Sequence, residues 1–338
     1  MKTIQIQGET GSSRILIGES LRNIAEYVPQ NRGVIITDAN VQNHYQWQFP
    51  AFPVIEIGTG EEIKTLDTVQ SIYEHLMDYE LDRSSFLLGI GGGIVCDIAG
   101  FVASTYMRGL RFGFAATTLL AQVDAGTGGK NGVNLGGYKN IIGVFSQPEF
   151  VICDLELLST LPKAEISCGF AEIVKHAVIK NKDMFAYIEQ NYEKALHLDA
   201  VVMEKLIHDS LLIKTKIVSK DEREKGERRT LNFGHTFAHA IEKIYKKTHG
   251  EAVSIGMTAA CRLSVKKGYL SETEAERIRR LLEKLNLPTD IRMDRRKILD
   301  AVKRDKKKEG NFIYFVLIKG IGEAVVEAIT FGELEDIF

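Results

Sequence analysis

The four cysteines among 338 residues (Cys96, Cys153, Cys168 and Cys261) are far apart and never in CxxC spacing. That leaves no disulfide framework and no thiolate zinc ribbon to read, and points to buried thiols in a reducing compartment. The start, residues 1–7, alternates polar and apolar like a strand and has no signal-peptide core. No apolar run approaches bilayer length. The expected localisation is therefore cytoplasmic. Charge of one sign is also missing. Lys plus Arg total 43 against 45 Asp plus Glu, for a net charge of -2, which gives no general pull toward nucleic acid or anionic membrane. Any attraction for an anion must come from local clusters. Internal repeats and low-complexity segments are absent.

The first half alternates two periodicities. Short β-branched runs occur at 14–18, 33–38, 53–58, 85–91 and 112–118, and 62–81 carries Ile63, Leu66, Val69, Ile72, Leu76 and Met77 at helical spacing. Strands alternating with helices predict βαβ units and a mostly parallel sheet. After about 154 long helical stretches dominate, such as 200–217 and 271–285, and 311–319 reads as a late strand followed by a turn and a short last strand. The expected architecture is an α/β nucleotide-binding domain, Rossmann-like, over 1–154, and a mainly helical metal- and substrate-binding domain over 155–338.

Where these patterns meet, chemistry-bearing residues collect. The run Phe86–Ile90 leads into Gly91-Gly92-Gly93 and then a helical segment over 94–106. Glycines at a strand-to-helix turn bring backbone N–H groups to a pyrophosphate, although this is not GxGxxG, since Ile94 stands in the last position. Asp38 and Asn40 follow one strand, where a ribose often sits, and Thr117-Thr118 follow another. As structural residues, Asp38 would cap a turn and the threonines would simply be β-branched strand residues. In the second half Glu172 and Lys175 share one face of an apolar helical segment. Three of eight histidines, His235, His239 and His249, fall within fifteen residues. That cluster with a distant helical Glu suits a zinc-type site, and spacing alone selects His235 with His239 as the pair. It is not HExxH, because Thr236 follows His235. Lys130, Lys139, Lys175, Lys214, Arg108 and Arg228 lie beside Gly, Asn or apolar residues more often than within charge runs. Residues 303–308 read as a solvated face or a short nucleic-acid patch, for which a run without aromatics is weak support, and a phosphate contact from one lysine is the sharper alternative.

Taken together the motifs resemble the 3-dehydroquinate synthase family of sugar phosphate cyclases. The resemblance rests on Gly91–Gly109, Thr117–Asp124, Gly128-Gly129-Lys130, Lys139-Asn140, Ala171–Lys175, Leu231–Ala240 and His249-Gly250-Glu251, in order along nearly the whole chain. It implies metal ligands Glu172, His235 and His249, with His239 moved to phosphate contact and proton transfer. It implies NAD contacts from Asp38, Asn40, Glu61, Lys64, Gly92, Gly93, Asp97, Thr117, Thr118 and Lys139. The implied catalytic set is Asp124, Lys130, Lys175, Glu224, Arg228, Asn232 and His239. Asn140, Lys214 and Lys306 or Lys307 would bind substrate, with Arg108 reaching in from the partner of a homodimer. The implied reaction converts 3-deoxy-D-arabino-heptulosonate 7-phosphate to 3-dehydroquinate and phosphate. It runs by NAD-mediated oxidation beside Zn²⁺ or Co²⁺, phosphate elimination, return of the hydride and an intramolecular aldol closure. The segment Asp124–Asn134 also resembles sibling cyclases that take sedoheptulose 7-phosphate. Metal-dependent polyol dehydrogenases share a similar glycine turn but need fewer cations.

Overall fold

The computed structural model describes residues 1–30, 32–291, 297, 308–309, 312–330 and 332–333. They form two units, Met1–Pro162 with Met203–Arg223, and Lys163–Val202 with Glu224–Phe338. The chain passes from the first unit to the second after Pro162, at the end of the join expected over 154–162, and most of one long helix, Met203 onward, returns to the first. Periodicity reports that a segment is helical, and which core it packs on is decided by tertiary contacts.

In the first unit the elements are β1 (Lys2–Gly8), β2 (Gly11–Ile17), β3 (Gly33–Asp38), α1 (Ala39–Tyr45), β4 (Val54–Ile57), α2 (Leu66–Asp78), β5 (Phe86–Gly91), α3 (Gly93–Thr105), β6 (Arg111–Ala116), β7 (Lys130–Leu135), β8 (Tyr138–Phe145) and β9 (Phe150–Cys153). The helices α4 (Lys163–Lys180) and α5 (Lys182–Leu196) follow, then α6 (Ala200–Lys220), α7 (His235–Tyr245), α8 (His249–Lys266) and α9 (Glu272–Lys284), and finally β10 (Lys308–Glu309), β11 (Phe312–Gly320) and β12 (Glu323–Thr330).

The main sheet has strand order β1-β2-β9-β6-β5-β3-β4. Its pairs are parallel except β1 with β2. Both faces are covered, so the central strands read as continuous apolar runs, and β5 is buried at every position. Leu16, Ile35, Phe86, Leu88, Ile90, Phe150 and Ile152 form one core, in which the Phe86 and Phe150 rings stack at 5.9 Å. From β3 the chain steps outward to β4 and returns to β5 on the other side of β3. The gap between the carboxyl ends of β3 and β5 is therefore a topological switch point, where open α/β sheets bind ligands.

The expected helix over 62–81 begins only at Leu66, because the Thr65 hydroxyl accepts from Thr68 N at 3.3 Å and caps it there. The β7–β8 hairpin was not among the expected strands. Its turn is Gly136-Gly137, both with positive φ, a conformation that glycine adopts without strain.

In the second unit α8 packs against α4, α7, α9 and β11, which makes it the central helix. It is buried along most of its length and starts from a capping box between Thr248 and Glu251. No helix among the described residues is long and apolar enough to cross a membrane.

Candidate functional site

At the switch point of the first unit, β3 ends in Asp38 and β5 ends in the glycine turn. Asp38 Oδ1 accepts from Val41 N at 3.0 Å and caps α1, as the structural alternative for this residue anticipated. Asn40 lies exposed in the first turn of α1. Gly92 is the N-cap of α3, so the amides of Gly93 and the next residues have no intrahelical acceptor and carry the positive end of the helix dipole. Thr117 N donates to Gly91 O at 3.0 Å, which sets Thr117-Thr118 beside the turn. A Cβ on Gly92 would fall 3.0 Å from Thr118 Cγ2. Thr117 Oγ1 is buried and has no hydrogen-bond partner. A glycine cradle with an orphaned hydroxyl beside a helix N-terminus fits a dinucleotide phosphate.

Four further expected cofactor residues gather close by. Lys64 Nζ contacts Asp97 Oδ2 on α3 as an almost buried ion pair. Burial pushes the Asp97 carboxyl up, and the neighbouring Lys64 only partly offsets it. Glu61 Oε1 accepts from Asn134 Nδ2 at 2.8 Å and lies 4.0 Å from Lys139 Nζ. Asn134 N also donates to Lys64 O at 2.8 Å. The hairpin missed in the sequence is thus what holds the segment 61–65.

The expected substrate residues of this unit are more spread out. Lys214, on α6, is buried and donates to the backbone oxygen of Asp124 at 2.6 Å and to its carboxylate. Lys130 starts β7 and is exposed, opposite Phe145 in register. Among the described residues, eight non-glycine positions have positive φ. Glu80, Leu198, Lys246 and Asn286 each follow a helix end, where such a conformation is common. Met107 and Arg108 likewise come shortly after the end of α3, and the other two are Asn140 and Glu224; Arg108 and Asn140 are expected substrate residues and Glu224 an expected catalytic one. Backbone strain of this kind collects at functional sites.

The second unit contains the sharper cluster. Glu172, on α4, is fully buried, and Lys175 Nζ, one turn on, contacts its Oε2. His235 Nε2 lies 3.6 Å and His249 Nε2 3.4 Å from Glu172 Oε1. Phe233 O can only accept, so it holds the proton of His235 Nδ1 at 3.1 Å. Glu242 Oε1 does the same for His249 Nδ1 at 3.0 Å. Both Nε2 atoms therefore face the same spot as the carboxylate oxygen, and an ion bound there would displace any proton held at Nε2. In tetrahedral coordination with bonds of about 2.1 Å, ligand atoms stand roughly 3.4 Å apart, so the donor set fits a zinc-type ion. Burial alone would raise the Glu172 carboxyl, but Lys175, His235 and His249 hold it well below the usual range. Burial alone would lower the His249 imidazole, yet Glu172 and Glu242 push it up to about 10. The pocket is built for positive charge.

His239, the partner that spacing selects, is not in this group. Its ring stands at right angles to His235 at 5.9 Å, while Glu172, His235 and His249 bring ligand atoms within 4.8 Å of one another. A ligand one helical turn away loses here to one supplied by the next helix. Glu224 and Asn232 meet through a hydrogen bond from Asn232 Nδ2, and Arg228 is buried on the short helix between them. Lys306 and Lys307 lie outside the described residues. Sequence reasoning missed Glu242. The available signal was an acid two turns after His235, set among apolar Ala240 and Ile241.

Comparison with known proteins adds an independent line. The family model for the 3-dehydroquinate synthase N-terminal region matches residues 54–168, and that for the C-terminal region matches 169–308. A 3-dehydroquinate synthase of Thermoanaerobacter pseudethanolicus is 44% identical over 323 residues, covering 92% of this chain and 91% of that protein. Among solved structures, 2-epi-5-epi-valiolone synthase from Streptomyces hygroscopicus subsp. jinggangensis, with NAD⁺ and Zn²⁺ bound, aligns with a TM-score of 0.90 at 26% identity, covering 100% of this chain and 96% of that one. A 2-deoxy-scyllo-inosose synthase complexed with carbaglucose-6-phosphate, NAD⁺ and Co²⁺ aligns with a TM-score of 0.86 at 25% identity, over 99% of both chains.

Proposed function

The chain belongs to the 3-dehydroquinate synthase family, and from that premise we propose how its residues divide the work of this lyase. The reaction takes 3-deoxy-D-arabino-heptulosonate 7-phosphate to 3-dehydroquinate and phosphate, with NAD and a divalent metal as cofactors. When bound, NAD⁺ removes and returns a hydride while the ion polarises the oxygen being oxidised.

Glu172, His235 and His249 hold the ion. Lys175 keeps Glu172 ionised through its contact with Oε2, and Glu242 and Phe233 O fix the imidazoles in the ligating tautomer. The dinucleotide takes the α3 N-terminus, with Gly92 and Gly93 at the phosphates and Thr117 and Thr118 beside them. Asp38 and Asn40 serve the ribose, and Glu61, Lys64, Asp97 and Lys139 line the remainder. The substrate is a dianion or more, which explains Lys130, Asn140, Lys214, Arg228 and Asn232. The planar fork of Arg228 suits a carboxylate, and Asn232 orients Glu224. The leaving phosphate itself takes the proton of the C–H beside the ketone as it departs, and His239 contacts that phosphate and carries the proton onward, so no strong base is needed in the pocket. Arg108 reaches a second copy of the chain in a cytoplasmic homodimer.

The observation that carries this reading is the buried Glu172 carboxylate faced by two imidazole Nε2 atoms. The test is metal-loaded protein with a catalytic trace of NAD⁺ and the heptulosonate phosphate, following phosphate and carbocycle together, with sedoheptulose 7-phosphate in parallel. Many turnovers per NAD⁺ on the first substrate, abolished by chelator, are expected. Phosphate release from sedoheptulose 7-phosphate alone would move the chain to the sibling cyclases. NADH accumulating in proportion to substrate would make it a dehydrogenase.

A further inference from the structure

Lys130 is exposed, yet the backbone before it is clamped from several sides. Gly129 has φ of +71°, and its carbonyl accepts from Ser146 N at 2.8 Å and from Asn131 Nδ2 at 3.2 Å. The same Asn131 amide donates to Ser146 O at 2.9 Å, and a Cβ on Gly100 would fall 2.0 Å from Asn131 Oδ1. Asn131 is thus wedged between α3 and the β7–β8 hairpin, buried and occupied with backbone. The Gln147 amide is packed against Gly129, where a Cβ would lie 2.7 Å from Gln147 Nε2.

What fixes that amide is Glu222, just past the end of α6 and 3% exposed. Gln147 Nε2 donates to Glu222 Oε1 at 2.8 Å. Thr10 N donates to Oε2 at 3.0 Å, and the Thr10 hydroxyl donates to Oε1 at 2.5 Å. A Cβ on Gly8 would fall 2.7 Å from Oε1, so the β1–β2 turn closes directly over the carboxylate. A buried carboxylate with several donors, the Glu9 backbone among them, is rigid and costly to disturb. Because a carboxylate can only accept, it also dictates which way the Gln147 amide faces, and Oε1 of that amide is left without a partner.

We propose that Glu222 is a positioning residue for Lys130, acting through Gln147 and Gly129, with Asn131 holding the opposite side of the same peptide. The inference rests on the substrate role assigned to Lys130 above. It also assigns Asn131 to the support of this segment and not to the choice of substrate.

The experiment is a double-mutant cycle between Glu222→Ala and Lys130→Ala, read as kcat and KM for the heptulosonate phosphate, with thermal midpoints measured alongside. Misplacement by about an ångström costs up to roughly 100-fold in rate, so Glu222→Ala is expected to lower kcat/KM by about 10- to 100-fold. In the Lys130→Ala background it should add less than about twofold, because coupled residues are not additive. Gln147→Leu leaves Glu222 and Thr10 in place and should reproduce the loss if Glu222→Ala does not fold. Losses that add fully, or a neutral Glu222→Ala, would overturn the positioning role and leave the substrate role of Lys130 standing. A Lys130→Ala protein with unchanged turnover would remove both.

Discussion

Two buried lysine–carboxylate pairs among the described residues, Lys64 with Asp97 in the first unit and Lys175 with Glu172 in the second, behave oppositely. In the first, Lys64 is the main cation near Asp97, with Glu61 and Lys214 acting in opposite directions, and burial lifts the acid above its ordinary range. In the second, Glu172 has Lys175 and two imidazoles around it, and its pKa falls well below the ordinary value although burial is the largest single influence. At Asp97 the neighbouring cations do not offset the removal of a carboxylate from water, whereas Lys175 and the two imidazoles do so at Glu172. The first pair suits hydrogen bonding to a ligand, and the second is already organised to bind an ion.

The most direct way to break the contrast is Glu172→Gln. It replaces an anionic ligand by a weak neutral one, and a Lewis-acid contribution of several kcal/mol would be lost. Turnover should fall by about 1,000-fold or more, since about 1.4 kcal/mol corresponds to a factor of ten. Metal content by elemental analysis should fall with it, while NAD⁺ affinity stays within about twofold. Full metal occupancy in this variant would contradict the ligand assignment.

Glu242→Gln sharpens the same side. Loss of the carboxylate partner of a ligating histidine typically weakens metal affinity by about 10- to 100-fold, measurable by competition with a chromogenic chelator. An unchanged affinity would reduce Glu242 to a packing role.

On the other side, Lys64→Met leaves Asp97 buried without its cation and should cost about 3 kcal/mol of stability at neutral pH. The sign of the pH dependence follows from the raised pKa. The folded state holds the Asp97 proton more tightly than the unfolded state, whose value is 3.8. Folding therefore takes up a proton as the pH drops, and the deficit should shrink as the pH falls from neutral toward the raised Asp97 value. Glu172 has the opposite sign, and its contribution is lost only as the pH falls below 4.5. Thermal midpoints of wild type and variant across that range decide the matter, and a constant deficit would show that Asp97 does not take up the proton.

Strand and helix periods gave β3, β5, α3, α6 and α9 to within a few residues, because each repeats an apolar spacing over enough positions to stand out. The glycine turn, the apolar surroundings of Glu172 and the histidine cluster were legible for the same reason, since residue type and neighbours carry the signal. Left to the three-dimensional structure were the matters that depend on meetings between distant segments. His249 displaces His239 as the facing imidazole because α8 begins where α4 and α7 converge. Glu242 becomes a partner of His249 only through the packing of α7 on α8. The β7–β8 hairpin, short of strong strand formers in its first half, takes its place by hydrogen bonds to the segment 61–65. A local sequence sets torsional preference and hydrophobic pattern. Which lone pairs share one point in space is fixed by long-range packing, and no spacing rule along the chain encodes it.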